Sequence, residues 1–217
     1  MPRYLTEKDI ADFRAELCRV ATERFARFGY EGVTMRQLAE ALGCSPKTPY
    51  RYFKDKADIL ATVRAEAFAR FSEALAEAAG SAADPLDRGR RVGEAYLNFA
   101  LANPHAYRIM FEIDRPIDDS HADLSREALR ARQFITRQAE EMRKAGLIAV
   151  DPELFGWSMW AAIHGLVMLH RAGMLHDGPD YMTLNNFHGA LMFKGALAPP
   201  SKAPPSRALP PKTRKKR

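Results

Sequence analysis

The sequence predicts an all-α protein with a small N-terminal helix-turn-helix domain and a larger helical domain after it. Apolar residues recur at three- and four-residue spacing in one segment after another, as they do on the buried face of an amphipathic helix. The polar and apolar alternation of a half-buried strand is missing, and no Gly-rich phosphate loop interrupts the pattern.

The first helix is predicted between Thr6, a capping residue, and Gly29, which stops it. The residues that share its inward face are Ile10, Phe13, Leu17, Val20, Ala21, Phe25 and Phe28. This helix is expected to support the segment that follows it.

A second helix is predicted to begin at Thr34, because Gln37 three residues later completes the spacing of a capping box. The residues on its inward face are Leu38, Ala39 and Leu42. Gly43 stands where a helix ends in the left-handed conformation, and Cys44 follows as a small apolar plug.

Ser45 is predicted to cap a third, short helix whose first turn contains Pro46. Two helices joined so closely form a helix-turn-helix, which places its second helix in the major groove of DNA. Pro49 disturbs this helix, because it lacks an N–H and biases Thr48 away from helical backbone angles. We therefore expect a recognition helix that is distorted or starts late.

The side chains of this region suit contacts with double-stranded DNA. Arg and Lys pair with guanine, Thr hydrogen-bonds a base or contacts a thymine methyl, and a Tyr hydroxyl reaches phosphate. The predicted base-facing residues are Lys47, Thr48 and Arg51. The other predicted DNA contacts are Thr34, Arg36, Ser45, Tyr50, Tyr52, Lys54 and Lys56, of which the last two lie at the start of the next helix, capped by Asp55.

Residues 20 to 60 resemble the DNA-binding domain of the TetR family of bacterial transcriptional regulators. The residues that carry the resemblance are Phe25, Phe28-Gly29-Tyr30, Thr34, Ala39, Gly43, Ser45, Tyr50, Phe53 and Lys56. The resemblance implies an all-helical homodimer, usually a repressor, with three N-terminal DNA-binding helices and a divergent ligand and dimerisation domain. It also implies that Thr34, Tyr50 and Lys56 contact the DNA backbone. Pro49 departs from the pattern, in which an aliphatic residue is usual.

A long helix is predicted from Asp55 to about Ala79, ending near Gly80, and it would link the two domains. Further helices are predicted at about 85–102, 104–112, 120–145, 152–172 and 180–197. These elements divide the chain into a DNA-binding domain at 1–56, an effector-binding and dimerisation domain at 57–197, and a disordered, basic, Pro-rich tail at 198–217.

Aromatic and Met residues exceed the Leu and Val of a plain core in the second domain, which predicts an internal cavity for a hydrophobic or aromatic effector. The proposed lining residues are Tyr96, Phe99, Tyr107, Met110, Phe111, Trp157, Trp160, His164 and Met168. Each of them also fits an ordinary core position. The segment from Trp160 to Gly165 is similar to a Trp-x-x-x-His-Gly signature of one TetR subgroup, and Gly165 is expected to let another helix approach closely.

The last two helices are apolar on more than one face, which predicts a homodimer formed by a two-fold bundle of these helices. The apolar residues that exceed what one small domain can cover are Met159, Ile163, Val167, Leu184, Phe187, Leu191, Met192 and Phe193. Such a dimer would read a pseudo-palindromic operator. An effector that binds better to the arrangement of the dimer that cannot bind DNA would release the protein from DNA. Release, as opposed to recruitment, is implied only by the family resemblance.

The net charge of +6 arises in the tail, because residues 198–217 contain seven basic residues and no acidic one. The tail is either a solvated segment without a specific role or an electrostatic arm that contacts DNA phosphates. Two distant cysteines and the lack of an N-terminal hydrophobic stretch predict a cytoplasmic protein. The apolar run from Leu154 to Leu169 is too short to span a membrane.

No His-Glu-x-x-His, Gly-x-Ser-x-Gly or Cys-x-x-Cys motif occurs, so the sequence predicts neither an enzyme nor a cofactor. Two alternatives keep the same fold: a metal sensor and a thiol sensor. Their candidate residues are His164, His170, His176 and His188 for the metal and Cys18 and Cys44 for the thiol. A third alternative is a helical protein-interaction module without DNA activity.

Overall fold

The computed structural model describes residues 6–117 and 120–197, and these residues form eight α-helices and one 3-10 helix, with no strand among them. The helices are α1 (Glu7–Phe28), α2 (Met35–Ala41), α3 (Lys56–Gly80), α4 (Pro85–Ala102), α5 (Pro104–Phe111), α6 (Ala122–Lys144), α7 (Pro152–Arg171) and α8 (Tyr181–Leu197). The 3-10 helix, Pro49–Arg51, lies between α2 and α3. The all-α fold is confirmed, and the predicted basic tail at 198–217 lies outside the described residues.

The ends of α1 follow from local chemistry, as the sequence predicts. The Thr6 hydroxyl accepts a hydrogen bond from the Asp9 N–H at 3.1 Å, and the Asp9 carboxylate accepts one from the Thr6 N–H at 2.8 Å. Gly29 ends the helix with φ of 71° and donates its N–H to Phe25 at 3.0 Å. A residue with a side chain would be strained at that angle, so glycine fixes where the chain leaves the helix.

One hydrophobic core runs through both predicted domains, and α3 lies at its centre. Helix α3 packs against α1, α4, α5 and α6, so its buried Ile59, Phe68 and Phe71 face neighbours on several sides. Each fully buried side chain of this size contributes about 1.5–3 kcal/mol. A second, smaller cluster lies where α6, α7 and α8 meet, and its buried members are Ala139, Met142, Ile148, Phe155 and Ala196.

Candidate functional site

The start of α2 is fixed by the predicted capping box. The Thr34 hydroxyl accepts from the Gln37 N–H at 3.2 Å, and the Gln37 side-chain oxygen accepts from the Thr34 N–H at 2.8 Å. The same oxygen lies 3.1 Å from the Thr34 hydroxyl, which donates to it. Both donors of Thr34 are therefore used inside the protein, so in this arrangement Thr34 positions α2 rather than donating to a phosphate.

The turn after α2 is the predicted left-handed glycine turn. Gly43 has φ of 63°, its N–H donates to the Glu40 carbonyl at 3.1 Å, and the Cys44 N–H donates to the Ala39 carbonyl at 3.0 Å. These two bonds form a Schellman motif, which satisfies carbonyls that the end of the helix would leave open. Cys44 is half-buried beneath this turn.

The predicted third α-helix is absent, and a turn followed by the 3-10 helix takes its place. Ser45 therefore caps no α-helix: its hydroxyl accepts from the Lys47 N–H at 3.3 Å, and its carbonyl accepts from the Thr48 N–H at 2.8 Å. The expectation for Thr48 was wrong, because its backbone is helical at φ −63° and ψ −45°. The turn bonds on both sides of Thr48 outweigh the bias that Pro49 imposes.

Pro49 is buried and anchors the turn. Its carbonyl accepts the N–H groups of Tyr52 and Phe53, both at 3.0 Å. From α1, Phe13 stacks on the Tyr52 ring with centroids 4.5 Å apart, and Arg14 lies 4.2 Å from the centre of the Phe53 ring. The ring of Tyr52, a residue predicted to contact DNA, thus packs the turn against α1.

The exposed side chains of this turn are the ones with the chemistry to bind DNA. Lys47, Tyr50, Arg51 and Lys54 all face solvent, and 57% of Tyr50 is accessible. Within residues 6–117 and 120–197, none of these four side chains has a hydrogen-bonding or ionic partner. Arg36 is also exposed, but it pairs with Glu40 at 2.9 Å. Four unengaged polar or cationic groups on a rigid turn form a surface suited to nucleic acid.

Lys56 behaves differently from the other predicted DNA contacts. Its Nζ donates to the Tyr30 carbonyl at 2.8 Å, lies 3.9 Å from the centre of the Tyr30 ring, and lies 3.7 Å from the Glu31 carboxylate. Three interactions with the loop before α2 make Lys56 a residue that holds this loop against α3.

A buried polar chain links α4, α5 and α7. Trp160 Nε1 donates to the Tyr96 hydroxyl at 3.1 Å, the Tyr96 and Tyr107 hydroxyls are 3.0 Å apart, and the Tyr107 hydroxyl lies 2.5 Å from His164 Nδ1. Burial raises the pKa of Tyr96 to about 12 and raises the pKa of Tyr107 above its usual range. Burial also lowers the pKa of His164, which favours the neutral imidazole.

An apolar cavity of about 740 Å³ lies between α4, α6, α7 and α8. Of the nine residues predicted to line an effector cavity, only Tyr96 and Trp160 do so. Phe99, Tyr107 and Met110 are buried core residues, and Trp157 is 40% exposed on the outside of α7. The remaining three, Phe111, His164 and Met168, are half-buried and lie away from the cavity. The prediction fails for these seven because aromatic and Met residues serve a packed core equally well.

Four glycines outside the predicted set line this cavity, but only Gly189 of the four faces open space. At Gly89 and Gly156 a Cβ atom would lie 2.2 Å from the Met142 side chain and 3.2 Å from the Thr136 backbone, so these two glycines allow close packing instead. Gly89 and Gly93 lie one turn apart on α4, Gly156 lies on α7 and Gly189 on α8, and all four line the cavity. A Cβ atom at Gly189 would meet nothing within 4 Å, and one at Gly93 would meet Ile163 at 3.6 Å. Glycine inside a helix costs about 1 kcal/mol relative to alanine. The two glycines at helical spacing on α4 therefore indicate, from the sequence alone, a face of the helix that requires the absence of side chains.

The last two helices expose large apolar residues, and Phe187 and Leu191 of the predicted set are among them. Ile163 and Val167 are buried in the protomer's own core, and Met159, Met192 and Phe193 pack on the second cluster. The large apolar residues of α7 and α8 at least 40% exposed are Leu154, Trp157, Leu169, Phe187, Leu191 and Leu197. We call this set the α7–α8 face.

Gly165 does not contact another helix of the same chain. A Cβ atom placed on it would find nothing within 4 Å, so the expected close approach is wrong within the protomer. The open space above Gly165 lies on α7 between the exposed residues Trp157 and Leu169.

Neither a metal site nor a membrane span is found in the part of the chain that the structure describes. In residues 6–117 and 120–197, no three His, Cys, Asp or Glu side chains are placed to hold a metal ion. Within the same ranges, none of the helices combines the length and the apolar character needed to cross a bilayer. Cys18 is buried, and burial raises the pKa of its thiol to about 12, which makes it a poor thiolate nucleophile.

Three similar proteins place this geometry in context. The chain is 38% identical over 64 residues to the HTH-type transcriptional repressor AcnR of Corynebacterium diphtheriae, which covers 30% of this chain and 34% of that protein. It is 27% identical over 101 residues to the HTH-type transcriptional activator FasR of Mycolicibacterium smegmatis, which covers 46% of each. The chain thus spans about a third to a half of the length of these curated relatives.

The fold itself extends over most of the chain. The transcriptional regulator FadR from Bacillus subtilis, solved in complex with stearoyl-CoA, superposes with a TM-score of 0.70 at 20% identity, covering 83% of this chain and 98% of that one. Residues 17–63 match the model for bacterial regulatory proteins of the tetR family, and residues 89–185 match the model for the tetracyclin repressor-like C-terminal domain. The chain belongs to the TetR family of bacterial transcriptional regulators.

Proposed function

We propose that this protein binds double-stranded DNA as a homodimer, represses transcription, and is released by a small apolar effector that occupies the cavity. The observation that carries the proposal is the rigid turn at residues 43–53, which is anchored by Pro49 and presents Lys47, Tyr50 and Arg51 to solvent. In the proposed complex Lys47 and Arg51 contact bases, and Tyr50 contacts a phosphate. The domain division near residue 56 remains part of the proposal.

Arg51 gives the sharpest test of DNA binding. A duplex enriched by the protein from a random-sequence pool serves as the probe, and a scrambled duplex serves as its control. Arg51→Ala is expected to weaken binding to the enriched duplex by about 5- to 150-fold, because a good base contact is worth about 1–3 kcal/mol. Fluorescence anisotropy across a salt series measures the affinity.

Arg132→Ala is the matched control, because Arg132 is equally exposed but lies on α6, away from the turn. This variant is expected to bind like the wild type. Equal, steeply salt-dependent binding of both duplexes by all three proteins would contradict sequence reading and indicate a purely electrostatic association.

The cavity supports an elongated, apolar ligand. Its lining on α8 extends from Asn185 to Leu197, which is about 18 Å along the helix axis. Polar residues are a minority of the lining: Asp84, Asp87, Arg90, Gln138, Asn185, Asn186 and Lys194. The complex of the similar Bacillus subtilis regulator with stearoyl-CoA supports long-chain acyl compounds as the first probes.

Gly189→Leu tests the cavity without disturbing the fold. The new side chain enters empty space and replaces a helical glycine, so the melting temperature of the free protein is expected to stay equal or rise. Stearate or stearoyl-CoA is expected to raise the melting temperature of the wild type but not of Gly189→Leu. Gly80→Leu is the control, because Gly80 at the end of α3 also has free space and lies outside the cavity. An equal shift in all three proteins would place the ligand elsewhere.

Dimerisation is proposed to use the α7–α8 face. Phe187 is 63% exposed and Leu191 is 53% exposed one turn later, so they form a ridge on α8. Leu154 and Trp157 form a similar ridge on α7. Exposed apolar ridges of this kind are typical of protein interfaces, and the open space at Gly165 would admit a helix of the partner protomer.

A further inference from the structure

We infer that Arg115 and Tyr30 form the contact through which the cavity controls the DNA-facing turn, and that Arg64 is the positioning residue that holds Arg115 in place. The inference rests on the proposed function, since it concerns how that function is regulated. It assigns a role to a buried arginine and an exposed arginine that neither the turn nor the cavity uses directly.

Tyr30 lies in the loop that enters α2, four residues before the Thr34 cap. Its ring is contacted by two cations: Lys56 Nζ lies 3.9 Å from the ring centre, and the Arg115 guanidinium carbon lies 4.1 Å from it. Lys56 belongs to α3, next to the turn, whereas Arg115 follows α5 in the larger domain. The Tyr30 ring is thus a direct contact between the loop that positions α2 and the larger domain.

Arg64 fixes the backbone from which Arg115 extends. It lies on α3 with only 4% of its surface exposed, and it donates to the Arg115 carbonyl at 3.0 Å and to the Met110 carbonyl at 3.3 Å. Among the described residues, no carboxylate pairs with Arg64, and its Nε has no hydrogen-bond partner. A buried cation without a counter-charge is costly, and the two carbonyl contacts of Arg64 tie the end of α5 to the segment that carries Arg115. A cation there also complements the C-terminal end of the helix dipole.

Helix α5 connects the contacts of Arg64 and Arg115 to the cavity. Tyr107 lies one turn before Met110 and hydrogen-bonds Tyr96, whose side chain lines the cavity. Trp160, another lining residue, donates to the same Tyr96 hydroxyl. A ligand that displaces Tyr96 or Trp160 therefore acts on Tyr107, shifts α5, and changes the position of Arg115 over Tyr30.

Coupling between two sites is reciprocal. If the cavity controls the turn, DNA binding at the turn must also alter the surroundings of Tyr96 and Trp160 at the cavity. The protein contains two tryptophans, both on α7: Trp160 lines the cavity, and the exposed Trp157 ring lies 5.1 Å from the Trp160 ring. Tryptophan emission therefore responds to changes at the cavity, whereas DNA is proposed to bind at the turn formed by residues 43–53. The enriched duplex is the probe, so no effector need be known.

Arg115→Gln removes the cation at an exposed position, and Arg115→Lys retains it. Tryptophan emission is expected to change on DNA addition in the wild type and in Arg115→Lys, and to stay constant in Arg115→Gln. Arg115→Gln is also expected to change DNA affinity by about 2- to 5-fold, the worth of an exposed cation–π contact. Tyr30→Phe should behave like the wild type, because it keeps the ring.

The two proposals fail in different ways. If the wild type binds no enriched duplex, the proposed function is wrong. If it binds the duplex but its emission is unchanged, or if Arg115→Gln keeps the full change, the coupling contact is wrong. For Arg64, the readout is non-additivity: Arg64→Gln and Arg115→Gln together should have the effect of either alone, whereas additive effects on affinity would contradict a role through Arg115.

Discussion

At the residue scale, the Tyr107 hydroxyl determines the protonation of a buried polar chain. Trp160 can only donate, so the Tyr96 oxygen accepts from it and the Tyr96 O–H is directed to Tyr107. The Tyr107 O–H then donates to His164 Nδ1, which must be unprotonated to accept it. Every hydroxyl of the chain has an acceptor when His164 is neutral and carries its proton on Nε2.

Tyr107→Phe is predicted to destabilise the protein. It removes one hydroxyl, which leaves the Tyr96 O–H without its acceptor and His164 Nδ1 without its donor, although Tyr96 still accepts from Trp160; the loss costs about 1–3 kcal/mol. For a protein of this length, the melting temperature should fall by about 2–12 °C. Tyr50→Phe is the control, because the Tyr50 hydroxyl is exposed and its loss should leave the melting temperature unchanged. Equal melting temperatures for Tyr107→Phe and the wild type would contradict the hydrogen-bonded chain.

Acidification is predicted to destabilise the protein through His164. Its pKa is lowered by burial, so between the unfolded value of about 6.5 and the lower folded value the unfolded chain binds more protons than the folded one. Stability from this group is therefore complete above about pH 6.5 and falls as the pH drops toward the folded pKa. Urea denaturation at a series of pH values should show this loss in the wild type but a smaller loss in His164→Gln. The exposed His176→Gln should retain the wild-type profile.

At the element scale, the turn between α2 and the 3-10 helix depends on one left-handed residue. Gly43→Ala is predicted to destabilise the protein by about 1–2 kcal/mol, since alanine at φ of 63° brings Cβ close to a carbonyl oxygen. Gly80→Ala at the end of α3 should instead be neutral or stabilising, because it has helical angles and open space. Chemical denaturation measures both, and an equal effect of the two changes would contradict the strain argument.

The elements that the sequence predicts well are those whose ends are set by local chemistry. Thr6, Thr34, Asp55 and Gly43 make their capping bonds with residues at most four positions away, so the spacing in the sequence contains the information. The distortion of the third helix is predicted correctly for a local reason as well, although it goes further than expected and leaves a 3-10 helix. Pro49 removes a helical N–H, and the remaining backbone bonds close a 3-10 turn.

The cavity could not be predicted in the same way, because it depends on which helices pair. Tyr107 and Trp160 belong to the same aromatic-rich composition, yet Tyr107 is fully buried in the core and Trp160 lines the cavity. Their neighbours come from helices far apart in the sequence. The spacing of Gly89 and Gly93 on α4 is visible in the sequence, but whether each glycine borders empty space or a close neighbour, such as Met142 at Gly89, depends on tertiary packing.

At the scale of the whole molecule, the α7–α8 face is the surface on which the proposed dimer rests. Large side chains such as Phe187 and Leu154 remain 63% and 70% exposed, although the protomer has a continuous core elsewhere. A second copy would bury this surface and relate two DNA-facing turns by a two-fold axis. DNA affinity should therefore depend on residues far from the turn.

Leu191→Asp is predicted to convert the protein to monomers, because it places a charge in the centre of an apolar interface where no counter-charge is available. Light scattering coupled to size-exclusion chromatography measures the mass, and anisotropy measures binding to the enriched duplex. Leu129→Asp is the control, since Leu129 is 41% exposed on α6, outside the α7–α8 face, and should leave the dimer intact.

Monomeric Leu191→Asp should retain its helical circular dichroism but bind the duplex at least 10-fold more weakly, since one turn contacts only one half-site. A dimer that persists in Leu191→Asp and in the equivalent Phe187→Asp would exclude α8 from the interface. Unchanged duplex affinity in a proven monomer would instead show that each protomer reads DNA alone.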